Sequence, residues 1–239
     1  MNLIIDCGNT NLKYFVFKDQ RLILKNFFKW ENDWSLIIKN KFPDLKNILL
    51  SDVTGKYLKE DLEKIFINKR VFQVKALEFP FTTNYNNEDL GEDRIGLIVA
   101  TINKFPGQDC LVIDAGSCLT YDLISSKSVH LGGLISPGLF MRYKSLNQFT
   151  SSLPHINFED KKKEIGNDTK NSIQSGTLEG TIFELNGQIE KFKRKTPKLK
   201  VILTGGDAKY LYKRIKNSIF AEQEFLASGL NNLLVCNNL

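Results

Sequence analysis

The first sixteen residues hold the residue types that phosphate chemistry uses. Leu3, Ile4 and Ile5 run into Asp6, a polar turn follows at Gly8-Asn9-Thr10, and Lys13 precedes the apolar run Tyr14 to Phe17. Glycine lets the backbone approach an anion, amide N–H groups and the Thr10 hydroxyl can donate to its oxygens, and Lys13 can neutralise charge. Asp6 can hold Mg2+. Two β-branched or aromatic runs around a Gly/Asn turn predict a β-hairpin with this polar set at its tip. The same residues also suit an ordinary solvated turn, since short motifs recur by chance.

The pattern returns later in the chain. Moved by 108 positions, Leu3, Ile5, Asp6 and Gly8 fall on Leu111, Ile113, Asp114 and Gly116, while Ile4 and Val16 fall on Val112 and Ile124. An internal repeat at this separation predicts two domains of similar fold, 1–108 and 109–239, each opening on an Asp-x-Gly hairpin. Pro106-Gly107 marks the boundary. Two such tips facing each other across a cleft would place two carboxylates and two glycine turns around one polyphosphate. A third stretch, Val201 to Leu203 followed by Thr204-Gly205-Gly206-Asp207, predicts a strand, a glycine turn and a helix N-terminus, a junction that suits a nucleotide. Neither G-x-G-x-x-G nor G-x-x-x-x-G-K-[ST] occurs there, which excludes the dinucleotide and P-loop readings. Gly91-Glu92-Asp93-Arg94 leads into Ile95, Ile98, Val99, Ile102 and Phe105, the spacing of a one-faced helix. Asp93 then lies at a helix N-terminus, where the dipole favours a carboxylate, and from the residues alone a plain cap is the simpler account.

The elements that must position these residues alternate. Lys25–Trp30 predicts a strand, Trp34–Lys41 a helix ended by Pro43, Asn47–Ser51 a strand, Lys56–Asn68 a helix and Val71–Val74 a strand. This alternation predicts α/β layering. Glu78–Asn87 reads as loop, and His130 to Gly138, with its Gly132-Gly133 pair and Pro-Gly turn, reads as backbone held close to a ligand or partner. Leu139–Phe149 predicts a helix. A long helix from Thr169 to about Arg194 carries Gly176 and Gly180, four apart, a smooth notch for another helix. Ala208 to about Asn217 predicts a short helix, and Phe225 to Leu234 a closing helix interrupted by Gly229.

Composition bounds the function. Hydrophobic content of 42% with 25% charged residues is that of a globular protein, and no apolar run reaches membrane-span length. Asp6 interrupts any signal-peptide core, so the expected place is the cytoplasm. Cys7, Cys110, Cys118 and Cys236 form no C-x-x-C, and His130 and His155 are not at ligand spacing from them, which argues against zinc and disulfides. The net charge of +6 gathers in Lys161–Lys163 and Lys191–Lys200 without aromatic interleaving, a solvated surface rather than a nucleic-acid face.

Taken in order, these motifs resemble the type III pantothenate kinases, members of the actin-like/acetate-sugar-kinase superfamily. Asp6-x-Gly8-Asn9-Thr10-x-x-Lys13 looks like the first phosphate loop, Tyr85 with Gly91-x-Asp93-Arg94 the pantothenate motif, and Asp114-x-Gly116-Ser117 the second phosphate loop. Gly132-Gly133-x-Ile135-x-Pro137-Gly138, Asn167-x-Thr169 and Thr204-Gly205-Gly206-Asp207 match the later segments, so nearly the whole chain is covered. The resemblance implies two ribonuclease H-like domains of the actin-like ATPase fold, with the active site in the interdomain cleft. It implies ATP with Mg2+ on Asp6, Cys7, Gly8, Asn9, Thr10, Asn11, Leu12, Lys13 and Ser117, with Asp6 on the metal through water. It implies a monovalent cation, K+ or NH4+, at Asp114. Pantothenate would meet Tyr85, Gly91, Glu92, Asp93, Arg94 and Thr169, Asp93 accepting the proton, and the enzyme would be a homodimer with no nucleic-acid or membrane partner. One departure is Gly116-Ser117-Cys118 where the family usually has Gly-Thr-Ala; serine keeps the hydroxyl. The rival readings are another small-molecule kinase of the superfamily and a non-catalytic regulatory relative. Gly91-x-Asp93-Arg94 argues against the first, and the presence of Asp6, Asp93 and Asp114 against the second.

Overall fold

The computed structural model describes residues 1–30, 33–57, 59–86, 88–159, 165–216, 219–220 and 224–239, the pair 219–220 by backbone alone. Lys161–Lys163 and Leu58 lie outside the described residues. By their contacts the residues form two compact units, Met1–Gly107 with Lys127–His130 and Glu224–Leu239, and Gln108–Ser126 with Leu131–Gln223.

In the first unit, β1 (Asn2–Cys7), β2 (Leu12–Lys18), β3 (Arg21–Phe28), β4 (Asn47–Asp52) and β5 (Arg70–Gln73) form a sheet of order β3-β2-β1-β4-β5. The first three strands are antiparallel, and β1, β4 and β5 run parallel. Every residue of β1 is buried, as expected of a central strand covered on both faces. Leu3, Ile5 and Cys7 join Ile48, Leu50 and Val71 in a core with Trp34 and Ile38 of α1 (Trp34–Lys41) and Leu62 of α2 (Lys59–Ile65). The alternate residues Asn2, Ile4 and Asp6 point to the other face.

That other face is covered by α3 (Glu92–Lys104) and α7 (Phe225–Cys236). Gly229 does not interrupt α7. A Cβ there would lie 1.9 Å from the carbonyl oxygen of Gly96 in α3, so this glycine is where two helices touch backbone to backbone. A ladder of buried asparagines ties α7 to the sheet: Asn47 Nδ2 donates to Asn2 Oδ1 and Asn2 Nδ2 to Asn231 Oδ1, each at 2.9 Å. Asn231 Nδ2 donates in turn to the Asp19 carbonyl. Buried amides need such partners, and these groups draw the C-terminal helix into the first unit, whereas a single cut at residue 108 would assign it to the second.

The second unit repeats the design. Its strands β7 (Cys110–Ala115), β8 (Cys118–Ile124), β9 (Val129–Pro137), β10 (Lys200–Thr204) and β11 (Ile219–Phe220) lie in the order β9-β8-β7-β10-β11, the same permutation as the first sheet. Leu111, Ile113 and Ala115 pack with Leu139 and Tyr143 of α4 (Leu139–Gln148) and with Ile182 and Leu185 of α5 (Thr169–Lys195). The repeat expected from the sequence is thus a repeat of topology, with one correction. In the first hairpin Asp6 pairs with Lys13, and in the second Asp114 pairs with Thr120. The second loop is one residue shorter, so beyond the turn the offset becomes 107. Val16 corresponds to Leu123 rather than Ile124, and Tyr14 gains an identical counterpart in Tyr121.

Four further expectations shift. His130 to Pro137, expected as backbone held close to a ligand or partner, belongs to strand β9 and alternates in exposure. The helix expected over 56–68 is confined to α2, and the helix after Gly206 is the short α6 (Ala208–Leu211) continued by a 3-10 turn at Tyr212–Arg214. In the loop before α3, Thr82–Thr83 forms a two-residue strand, β6, paired in parallel with Val129 and His130.

Candidate active site

The polar turn between β1 and β2 is closed by Gly8 N donating to Asn11 O at 3.1 Å, and Asn9, Thr10 and Asn11 are exposed. Cys7 ends β1 buried, Leu12 opens β2, and Lys13 stands across from Asp6 with Nζ 3.8 Å from Oδ2. Asp6 is only 5% exposed. Burial pushes its carboxyl up to about 6 against the pull of Lys13, and the negative charge of Asp93 adds to the rise. Burial also drives the Cys7 thiol well above its ordinary range, so it stays a thiol.

Asp93 and Arg94 lie in the first turn of α3, as the spacing predicts, and the N-cap is Gly91. Asp93 Oδ1 accepts from Arg94 N at 2.8 Å. A Cβ on Gly91 would lie 2.6 Å from that same Oδ1. Glycine here leaves the space into which the Asp93 carboxylate folds back over the helix start. Arg94 is 4% exposed, and its guanidinium carbon sits 4.9 Å from the centre of the Tyr85 ring. Such a stack suits arginine, whose planar cation favours an aromatic face. Tyr85 is held from behind: its N–H donates to Thr83 Oγ1 at 2.9 Å, and Thr83 Oγ1 lies 2.8 Å from Nδ1 of the fully buried His130. His130 and Thr83 are supporting residues that no sequence signal marked, because they meet only through the β6–β9 pairing.

In the second unit, Gly116 N donates to Cys118 O at 3.0 Å and closes the shorter turn. Ser117 is half-buried, and its carbonyl accepts from Gly138 N at 3.1 Å. A Cβ on Gly138 would lie 2.0 Å from the Gly116 carbonyl. The Pro-Gly turn after β9 thus packs on the loop, the close approach foreseen for that segment, with a loop as its partner. Asp114 is flanked in register by Thr120 on β8 and Thr204 on β10. Gly205, at φ +99°, leaves no room for a Cβ, which would lie 2.2 Å from Asp114 Oδ1. Asp207 N donates to Ala115 O at 2.8 Å, and burial pushes the Asp207 carboxyl up to about 6.

Thr169 is the exposed first residue of α5, whose N-cap Asp168 accepts from Asn171 N at 2.7 Å. It lines a groove of about 640 Å³ with Arg142, Ser145, Ser172 and Gly176. Arg142 is fixed by Glu184 and by the Pro137 carbonyl, and Glu184 also receives Tyr121 and Ser136. Burial opposes the Glu184 charge, but these hydrogen bonds hold its carboxyl below the usual range. The network draws on two strands and two helices far apart in sequence and was not anticipated. No group of three or more histidine, cysteine or acidic residues suited to a metal occurs among the described residues.

Residues 2–191 match the family model for type III pantothenate kinase. A type III pantothenate kinase of Christiangramia forsetii is 43% identical, with 99% of each chain covered. Among solved structures, a protein named as a Baf family transcriptional activator from Campylobacter jejuni aligns with TM-score 0.63 at 24% identity, covering 99% of this chain and 100% of its own. One named as a 2-dehydro-3-deoxygalactonokinase protein from Sinorhizobium meliloti aligns with TM-score 0.60 at 9% identity over 99% of each. At these identities the structures speak for the fold alone, the two-domain actin-like and sugar-kinase architecture. The family match and the full-length relative agree with the order of the motifs: this chain belongs to the type III pantothenate kinase family.

Proposed function

We propose that this protein transfers the γ-phosphoryl group of ATP to the C4′ hydroxyl of pantothenate, the first step of coenzyme A biosynthesis. The observation that carries this reading is the match of residues 2–191 to the type III pantothenate kinase family, with Asp93 held in the first turn of α3 beside the Tyr85–Arg94 stack. Phosphoryl transfer has a loose transition state with little charge on the nucleophile early, so positioning and electrostatics supply most of the rate. Asp93 orients the hydroxyl and takes its proton late. Asp6 serves the phosphates and their Mg2+ through water, Lys13 and the amides of Gly8 to Asn11 cradle them, and Ser117 donates from the second loop. Tyr85, Gly91 to Arg94 and Thr169 hold pantothenate, with the Tyr85–Arg94 stack presenting a positive face to its carboxylate.

The residues around Asp114 fit a monovalent cation. Its cross-strand neighbour Thr120 keeps a buried Oγ1 without a hydrogen-bond partner, and the flanking positions bring hydroxyl oxygens where Asp6 has a lysine. Carboxylate and hydroxyl oxygens suit K+, and NH4+ by donation. Bound there, the cation would offset phosphate charge.

The enzyme works as a two-fold dimer in the cytoplasm, and Thr169 of one protomer completes the pantothenate pocket of the other. Support comes from α5: Gly176, Gly180 and Gly187 are exposed with nothing within 4 Å of a built Cβ, and Phe183 among them is 69% exposed. Glycine in a helix interior costs about 1 kcal/mol, and close approach of a second helix accounts for it here. Light scattering that finds a fully active monomer would remove the dimer.

A coupled ATP-turnover assay with pantothenate, run in potassium, ammonium and sodium salts, tests the reading. Turnover that needs pantothenate and fails in sodium is expected. Absence of pantothenate-dependent turnover in every salt would sink it.

A further inference from the structure

Glu92 lies inside the substrate motif, yet its side chain is committed to backbone. Glu92 Oε2 accepts from Asp52 N at 2.8 Å. Asp52 is the last residue of β4 and pairs with Cys7. The next amide, Val53 N, donates to Cys7 O at 3.2 Å. Two consecutive amides at the end of β4 therefore hold the first turn of α3 and the base of the Asp6–Lys13 loop. The Asp52 side chain stiffens the same bend, accepting from Thr54 N at 2.8 Å, Thr54 Oγ1 at 2.6 Å and Tyr57 N at 2.8 Å. Gly91, as N-cap, has no side chain with which to anchor α3. A carboxylate on backbone amides is about twice as strong a link as a neutral hydrogen bond.

We propose that Glu92 is a positioning residue: its carboxylate latches the start of α3 to the end of β4, and so sets Asp93 against the Asp6–Lys13 loop. This rests on the kinase reading for the part Asp93 plays. The Asp52 amide occupies the Glu92 carboxylate, which keeps a second negative charge from facing an anionic acceptor.

Glu92→Ala is expected to lower kcat about 10- to 100-fold, the effect of misplacing a reacting group, while the KM for ATP moves less than about threefold. Glu92→Gln keeps an acceptor oxygen and recovers activity to within about threefold, and Glu92→Asp, one methylene short, resembles alanine. In an Asp93→Asn background Glu92→Ala adds less than about twofold, because the two act as one unit. Multiplying losses in the double variant, or a glutamine variant as weak as alanine, would overturn the proposal. Amide exchange read by NMR without substrate gives a second arm: protection at Asp52 falls in Glu92→Ala and Glu92→Asp. Unchanged exchange at this amide overturns the latch, whereas a protein that ignores pantothenate yet loses this protection fails only the kinase reading.

Discussion

Two rows of three side chains, one in each sheet, cross the strands at the level of the two aspartates. In the first unit the row is Lys13, Asp6 and Ser51, and in the second it is Thr120, Asp114 and Thr204. Residues paired directly across strands share a face, so each aspartate is seen through its neighbours. The first carboxylate has a lysine of its own. At the same place the second has threonine, and neither flanking position carries a cationic side chain. The repeated hairpin thus sets its two aspartates in different rows, one beside a lysine and one between two threonines. The glycines diverge in parallel. A Cβ on Gly8 would only touch Asn11 O at 3.4 Å, whereas one on Gly205 or Gly138 would overlap backbone. The turn glycines themselves, Gly8 and Gly116, are both open, and the tight packing in the second unit comes from Gly138 and Gly205 beside its loop.

The sharpest division between the units lies in the chemistry, which this reading gives to the first. Asp93→Asn should lower kcat about 100- to 10,000-fold, the range of a lost general base, while nucleotide affinity measured by calorimetry stays within about threefold. Near-normal turnover in this variant would return Asp93 to the role of a plain helix cap. Next in size is the contrast of glycines. Gly205→Ala combines a positive φ with backbone overlap and should cost at least about 2–3 kcal/mol in denaturant unfolding. Gly8→Ala should cost less than about 1 kcal/mol and weaken ATP instead. Equal stabilities for the two variants would erase the contrast.

The local patterns were legible in the chain itself. Leu3-Ile4-Ile5 and the Asp-x-Gly turn gave β1 and the hairpin, and the spacing from Ile95 to Phe105 gave α3 with Asp93 in its first turn. Short-range periodicity and turn chemistry suffice for such features. What escaped was set by partners distant in sequence. Gly229 reads as a helix breaker until Gly96 is found beside it. Glu92 reads as one letter of a motif until Asp52 N is found on its carboxylate. His130 reads as the head of a glycine-bearing segment, and its role behind Tyr85 depends on Thr83 arriving through β6. The offset between the repeats slipped by one residue because a shortened loop leaves no mark in apolar strands.

A stability measurement probes the first row more gently. Native Asp6 keeps its proton up to about pH 6, whereas an unfolded chain releases it near pH ~3.9. Between these values the native state binds more protons, so the contribution of Asp6 to stability falls as pH rises and its full cost is present at pH 7. Asp6→Asn should therefore stabilise the free protein at pH 7 by on the order of 1–3 kcal/mol and flatten the slope between pH ~4 and ~6, while Mg2+-dependent ATP binding is lost. A variant less stable than the parent at pH 7 would mean that the pull of Lys13 outweighs burial.

The second row predicts the smallest effect. The Thr120 hydroxyl is buried without a hydrogen-bond partner, so Thr120→Val replaces an unsatisfied oxygen by a methyl of similar volume. Stability should be unchanged or rise by up to about 1 kcal/mol, because nothing made in the native state is lost. The half-saturating potassium concentration for turnover should rise severalfold, because one of the neutral oxygens beside Asp114 is gone. Potassium affinity falls while stability holds or rises only if the hydroxyl serves a cation. A variant that gains stability with an unchanged potassium response would leave Thr120 a packing residue and shift the cation to oxygens other than this one.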